Sequence, residues 1–242
     1  MGAVQQVFKR VEKKYIIDDK TYSKLMDRLN GHMQVDRYGE TVVRNIYYDT
    51  PDHRLIRASL EKPVYKEKLR VRSYGVPNRD SKVFVELKKK YKGVVYKRRI
   101  DMSLAHSDRF ISGEYSPEKN HQIENEIRYF LKYYKGIAPA MFLSYHRIAL
   151  YGTENPELRL TFDWDITYRE EELELDGGEW GKKLMSDGIK VMEIKIPGAM
   201  PLWLSDILDE LKIFPASFSK YGEAYKKEYF NKSKQGKVNC CA

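Results

Sequence analysis

Cysteine is almost absent from the chain: two residues in 242, Cys240 and Cys241, adjacent at the C-terminus. That excludes a disulfide framework and any zinc site built on spaced thiolates. No apolar run approaches the length of a membrane span. The opening MGAVQQVFKRVEKK has no apolar stretch of the signal-peptide kind, and Gln6 stands where a myristoylation motif takes Ser or Thr. These absences predict a cytoplasmic chain without a membrane span. Nucleotide-binding and hydrolase signatures are missing as well: there is no Gly-x-x-x-x-Gly-Lys-Ser/Thr, no Gly-x-Ser-x-Gly and no His-Glu-x-x-His. The five histidines (His32, His53, His106, His121, His146) show no metal-ligand spacing.

What the chain has is positive charge, and it is concentrated. The formal net charge is +9, from 44 basic and 35 acidic residues. Between Lys62 and Arg99 fourteen Lys and Arg face only three acids, Glu67, Asp80 and Glu86. That surplus exceeds the excess of the whole chain and predicts a polyanionic partner. Hydrophobic content of 42% with 13% aromatics implies a folded domain.

The pattern along the chain is strand-rich. Residues 7–17, VVRNIYYDT, VYKEKLRVRSYG, KVFVELKKKY and GVVYKRRIDM read as strands, the last three joined by short turn stretches. DDKTYSKLMDRLNGHM reads as a helix capped by Asp18 or Asp19, and HQIENEIRYFLKYY as a second helix. AMFLSYHRIALYG, LRLTFDWDITYR and IKVMEIKIPG are further strands. EEELELDGGEWGKKL has the look of a hairpin turning at its Asp-Gly-Gly. PLWLSDILDELKI and SKYGEAYKKEYFNK predict closing helices. No repeat or long linker divides the chain, which predicts one domain over 1–232 and a disordered tail over 233–242.

In KEKLRVRSYG, Lys66, Lys68, Arg70 and Arg72 fall at every second position. Strand side chains alternate faces, so the four cations share one side. Five other strands repeat the pattern. Arg10, Glu12 and Lys14 oppose Val11, Tyr15 and Ile17. Glu86 and Lys88 oppose Val83, Val85 and Leu87. Lys97 and Arg99 share a face. Arg159, Thr161 and Asp163 oppose Leu158, Leu160 and Phe162, and Glu193 and Lys195 oppose Met192, Ile194 and Ile196. A flat sheet with one solvated face would alternate in the same way. The predominance of cations, and the need of the helices for apolar surface, favour an α+β fold with an antiparallel β-barrel tunnel, a charged lumen and helices packed outside.

RVEKKY (10–15), LRVRSYG (69–75), VFVELK (83–88), YKRR (96–99), SYHRIAL (144–150), LRLTFD (158–163), VMEIKI (191–196) and SFSKYGEAY (217–225) occur in the order and spacing of a known family. Over about residues 7–228 the chain resembles the VTC (vacuolar transporter chaperone) domain. That domain is the polyphosphate polymerase branch of the triphosphate tunnel metalloenzyme, or CYTH-like, superfamily. The resemblance implies a basic tunnel in which Lys14, Arg70, Arg72, Lys88, Lys97, Arg147, Arg159, Lys195, Ser219 and Lys220 bind phosphate. It implies that Glu193 holds Mn2+ or Mg2+, with Glu12 and Asp163 as secondary metal candidates. Arg10 replaces the first glutamate of the superfamily's Glu-x-Glu-x-Lys, which favours the polymerase branch. The phosphate-sensor domain and membrane segment of the eukaryotic polymerase have no counterpart in this sequence.

The activity so implied is a transferase that builds polyphosphate from the γ-phosphate of ATP. Arg70, Arg72, Lys97 and Arg159 would neutralise the transferring group and a metal on Glu193 would bridge its oxygens. The partners would be ATP, inorganic phosphate and polyphosphate, with no specific nucleic acid. Alternatives on the same fold are a tripolyphosphatase or nucleoside triphosphatase, and a non-catalytic binder of polyphosphate or nucleic acid.

Overall fold

The structure, a computed structural model, describes residues 11–92, 94–115 and 122–238. Arg10, His121, Cys240 and Cys241, on which expectations were placed, lie outside them. The elements in chain order are β1 (Val11–Asp18), α1 (Asp19–Leu29), β2 (Met33–Asp49), α2 (Arg54–Leu60), β3 (Tyr65–Tyr74), β4 (Lys82–Tyr91) and β5 (Val94–Ser103). There follow α3 (Leu104–Ser112), α4 (Gln122–Tyr133), β6 (Ala138–Gly152), β7 (Arg159–Arg169), β8 (Lys182–Lys183), β9 (Ile189–Ile196), α5 (Leu202–Glu210) and α6 (Lys220–Val238).

The strands form an antiparallel sheet in the order β1-β9-β7-β6-β2-β3-β4-β5, with β8 attached to β7. The ends of this path, β1 and β5, do not pair with each other among the described residues, so the sheet is open. The expected closed barrel and its tunnel are therefore not formed. Alternation of charged and apolar residues is a property of each strand and is the same in an open and a closed sheet. Closure depends instead on hydrogen bonds between two edges far apart in sequence.

Two compact units make up the chain. The first comprises Met1–Val42, Tyr145–Ile166 and Met185–Phe218. Its core joins the apolar faces of β1, β7 and β9 (Tyr15, Leu160, Phe162, Met192, Ile194) to Leu25 and Leu29 of α1 and to Leu204 and Ile207 of α5. Helix α1 begins where the sequence predicts, with the Asp18 carboxylate accepting from Thr21 N at 2.7 Å.

The second unit comprises Val43–Ser144, Thr167–Leu184 and Ser219–Ala242. Leu69, Val71, Val83, Val85 and Leu87 from β3 and β4 pack with Leu55 of α2, Phe110 of α3 and Ile127 and Phe130 of α4. Two of these helices are not evident from sequence periodicity. Helix α2 is held by a carboxylate outside it: Asp49, buried, accepts from Leu55 N at 2.8 Å, Ile56 N at 3.0 Å and the Tyr221 hydroxyl at 2.9 Å. Helix α3 follows β5 without a break, capped by Ser103 Oγ and closed by Gly113 at φ 86°.

The segment read as a hairpin over EEELELDGGEWGKKL keeps only β8, paired to Thr167 and Tyr168. Arg169 organises the rest of it. Its buried guanidinium donates to the carbonyls of Glu171, Glu172, Glu174, Gly178 and Trp180 and lies 3.6 Å from the Phe142 ring centroid. Backbone groups that a hairpin would pair across strands are satisfied here by one side chain. Lys89 and Lys90 lie within β4, just before its last residue, Tyr91.

Candidate functional site: a cationic sheet face

In the second unit the register of β3, β4 and β5 sets the cations in rows. Residues directly opposite in an antiparallel pair project from the same face. Lys68 is opposite Lys88, and Lys88 is opposite Lys97, giving three lysines side by side across three strands. The row on one side of it pairs Lys66 with Lys90. The row on the other side runs Tyr47, Arg70, Glu86, Arg99. Beyond that come Asn45, Arg72, Phe84 and Asp101. Like charges directly opposite one another destabilise a sheet. Lys66 records this: burial, together with Lys90, Lys62 and Lys88, holds its pKa below the usual lysine value.

Glu86 is the acid at the centre of this face, and its side chain is 2% exposed. One carboxylate oxygen accepts from Arg70 Nε at 2.7 Å and Nη2 at 2.6 Å. The other accepts from Lys97 Nζ, Arg99 Nε and Arg99 Nη2, each at 2.7 Å. Burial would raise the Glu86 pKa, but the attraction of Arg70, Arg72 and Lys97 outweighs it and holds the group well below the usual carboxylate range. Lys97 keeps 45% of its side chain exposed. Even so, desolvation of its ammonium, with Arg70 and Arg99 adding repulsion, lowers its pKa to about 8 against the pull of Glu86. Two tyrosines complete the arrangement: Arg70 Nη1 donates to Tyr47 OH at 3.0 Å and Arg99 Nη2 to Tyr74 OH at 3.1 Å.

The remaining expected residues of this unit flank that cluster. Arg72, buried, donates to Asn45 Oδ1 at 2.8 Å, and Asn45 in turn donates to Leu143 O. Lys68 Nζ donates to Ser219 Oγ at 2.9 Å, and that same oxygen accepts from Gly222 N at the start of α6. Ser219 thus has a capping role beside any phosphate role. Lys220 opens α6.

The face of the first unit has a different character. Glu12, Lys195 and Arg159 lie in one row, and Lys14, Glu193 and Thr161 in the next. Acids and cations are mixed here, with Glu12 opposite Lys195 and Lys14 opposite Glu193. Lys195 Nζ is 3.3 Å from Glu193. Lys14 Nζ donates to Phe218 O at 2.9 Å. Arg159 is exposed, with Nε donating to Pro156 O at 3.3 Å. Arg147 grips Asp163 with two nitrogens, at 2.6 and 2.7 Å.

Among the described residues no three His, Cys, Asp or Glu side chains are grouped to hold a metal ion. Glu193 faces ammonium groups, and Asp163 is occupied by Arg147. Both carboxylates are thus engaged by cations and not grouped with other hard oxygen ligands. Metal-dependent synthesis of polyphosphate within a tunnel therefore loses both its supports, the closed lumen and the metal cluster. Sequence reading placed Glu86 and Arg99 on charged strand faces but gave neither a role, and it passed over Tyr47 and Asn45. The signal in the sequence was an acid, Glu86, on the same strand face as Lys88; its neighbours Arg70 and Arg99 follow only from the register.

No helix among the described residues is long and apolar enough to cross a membrane. The VTC domain profile matches residues 9–229. No curated protein matches the chain. Among solved structures, a protein from Bacillus halodurans called a "putative adenylate cyclase" is similar at TM-score 0.56 and 14% identity, over 89% of this chain and 96% of its own. A Vibrio parahaemolyticus protein described in the same words gives TM-score 0.48 and 14% identity, over 91% and 99%. The Mimivirus capping enzyme triphosphatase gives 0.35 and 8%, over 83% and 88%. The first of these likenesses establishes a shared fold.

Proposed function

Because this chain belongs to the VTC domain family, a CYTH-like relative of the triphosphate tunnel metalloenzymes, we propose that it binds a phosphate chain, inorganic tripolyphosphate or the triphosphate of a nucleotide, on the cationic face of β3, β4 and β5. The observation that carries this reading is the row Lys68, Lys88, Lys97 beside the row Arg70, Glu86, Arg99. Such a face repels itself, and a compact polyanion relieves that repulsion. Arginine offers paired donors to phosphate oxygens and lysine a movable point charge. Arg72, Lys88, Ser219 and Lys220 are proposed as further contacts here, and Lys14, Arg147, Arg159 and Lys195 as contacts of the first unit.

Three cations converge on one carboxylate, which suits a compact polyanion such as a run of adjacent phosphoryl groups.

A second reading, hydrolysis of the bound chain, has the same fixed cations in its favour, since catalysis of phosphoryl transfer is chiefly positioning and charge stabilisation. Calorimetric titration with tripolyphosphate at about 0.15 M salt tests binding, with a short DNA duplex in parallel. Saturable binding of tripolyphosphate that duplex DNA does not displace is the expected result. Orthophosphate release with added magnesium would move the reading to a hydrolase. Tight duplex binding with no response to tripolyphosphate would overturn it.

A further inference from the structure

Three like charges are held together in the second unit, within hydrogen-bond distance of one buried group. Arg70, Lys97 and Arg99 come from β3 and β5, and Glu86 lies on the strand between them. Left to repulsion, their charged ends would spread apart. The carboxylate also sets orientation: two nitrogens of Arg70 meet one oxygen, and two nitrogens of Arg99 meet the other. Exposure rises outward from 2% at Glu86 to 21% at Arg70, 34% at Arg99 and 45% at Lys97. The cations are therefore anchored at their buried side and available to solvent on the other. Phe84 supports Arg99 from below, 4.0 Å from its guanidinium carbon.

We propose that Glu86 is the positioning residue of a phosphate cradle made by Arg70, Lys97 and Arg99, and that Arg99 is a phosphate-contacting residue in its own right. The inference rests on the phosphate-chain reading and deepens it. Glu86 touches no ligand. It fixes the separation of three cations and favours the charged form of Lys97. The groups acting on Lys97 are Glu86 and Lys88 from β4, Arg70 and Lys68 from β3, and Arg99 on its own strand. Only Glu86 among them is negative, so losing its charge would leave Lys97 easier to deprotonate.

The test is tripolyphosphate affinity from about pH 6 to 9.5 for the wild type, Glu86→Gln and Glu86→Asp, with folding checked by circular dichroism. Glu86→Gln is expected to weaken binding about tenfold or more at pH 7.5 and to move the alkaline fall in affinity to lower pH. Glu86→Asp, which keeps the charge, should return that fall close to its wild-type position. A residue that merely stabilises the sheet would lower the melting temperature without moving the pH profile. Equal or tighter binding by the Gln variant with an unshifted profile overturns the proposal. If the Gln variant does not fold, Arg99→Gln decides, against Arg79→Gln, which removes an equal charge from an exposed pair with Asp108. Weakening by Arg99→Gln alone supports the cradle, and equal affinity for the two variants overturns it. Absence of binding by the wild type would instead defeat the phosphate-chain reading itself.

Discussion

Arg147 and Asp163 form a two-point ion pair, Nε to Oδ1 at 2.6 Å and Nη2 to Oδ2 at 2.7 Å, with the Asp163 side chain fully buried. Burial opposes the charge on Arg147, yet Asp163 raises its pKa well above the ordinary arginine value. Breaking a buried pair leaves an uncompensated charge, which costs about 3–5 kcal/mol. Asp163→Asn should destabilise the protein by about that amount in urea unfolding. A loss below about 1 kcal/mol would mean the pair is solvated in practice.

The lysine row should give changes of opposite sign for stability and binding. Lys88→Met removes the middle of three facing lysines, so the ligand-free protein should be unchanged or gain about 0.2–1 kcal/mol. Affinity for tripolyphosphate should fall. Thermal melts with and without the ligand measure both, and a destabilised free protein would contradict the repulsion argument.

Lys97 gives a pH dependence with a definite sign. Its folded pKa of about 8 lies below its ordinary 10.5, so between these values the unfolded chain binds more protons. Stability from this group therefore rises with pH across that window. Binding works in the other direction: a phosphate beside the ammonium favours its charged form, so the complex takes up a proton above about pH 8 and affinity falls as pH rises. Calorimetry in buffers of different ionisation enthalpy should register uptake that Lys97→Met abolishes. The same uptake in both proteins would assign the proton elsewhere.

Arg169 should control the segment from 170 to 181. With its guanidinium replaced by methionine, five backbone carbonyls lose their donor. Arg169→Met should cost about 3 kcal/mol or more and open the segment to limited proteolysis. An unchanged cleavage pattern would show that these carbonyls find water without loss.

Much of this protein is legible in its sequence because the relevant forces are local. The alternation of Lys66, Lys68, Arg70 and Arg72 fixed which face of β3 carries charge, and the apolar residues between them fixed which face is buried. Asp18 announced α1, since a cap acts on an amide three residues away. Eight short motifs marked the family. Helix α2 escaped notice because the group that holds its amides, Asp49, lies well before its first turn and is itself held by Tyr221 from α6.

Only the tertiary structure decided whether the strands close, which partner each charge takes, and what Glu86 does. A strand fixes the faces of its own side chains through backbone geometry with a period of two, whatever its neighbours are. Closure of the sheet and the meetings of Arg70 with Glu86 and of Arg147 with Asp163 depend on register between strands. That register is set by the packing of whole units, so it is not written in any single stretch of the chain.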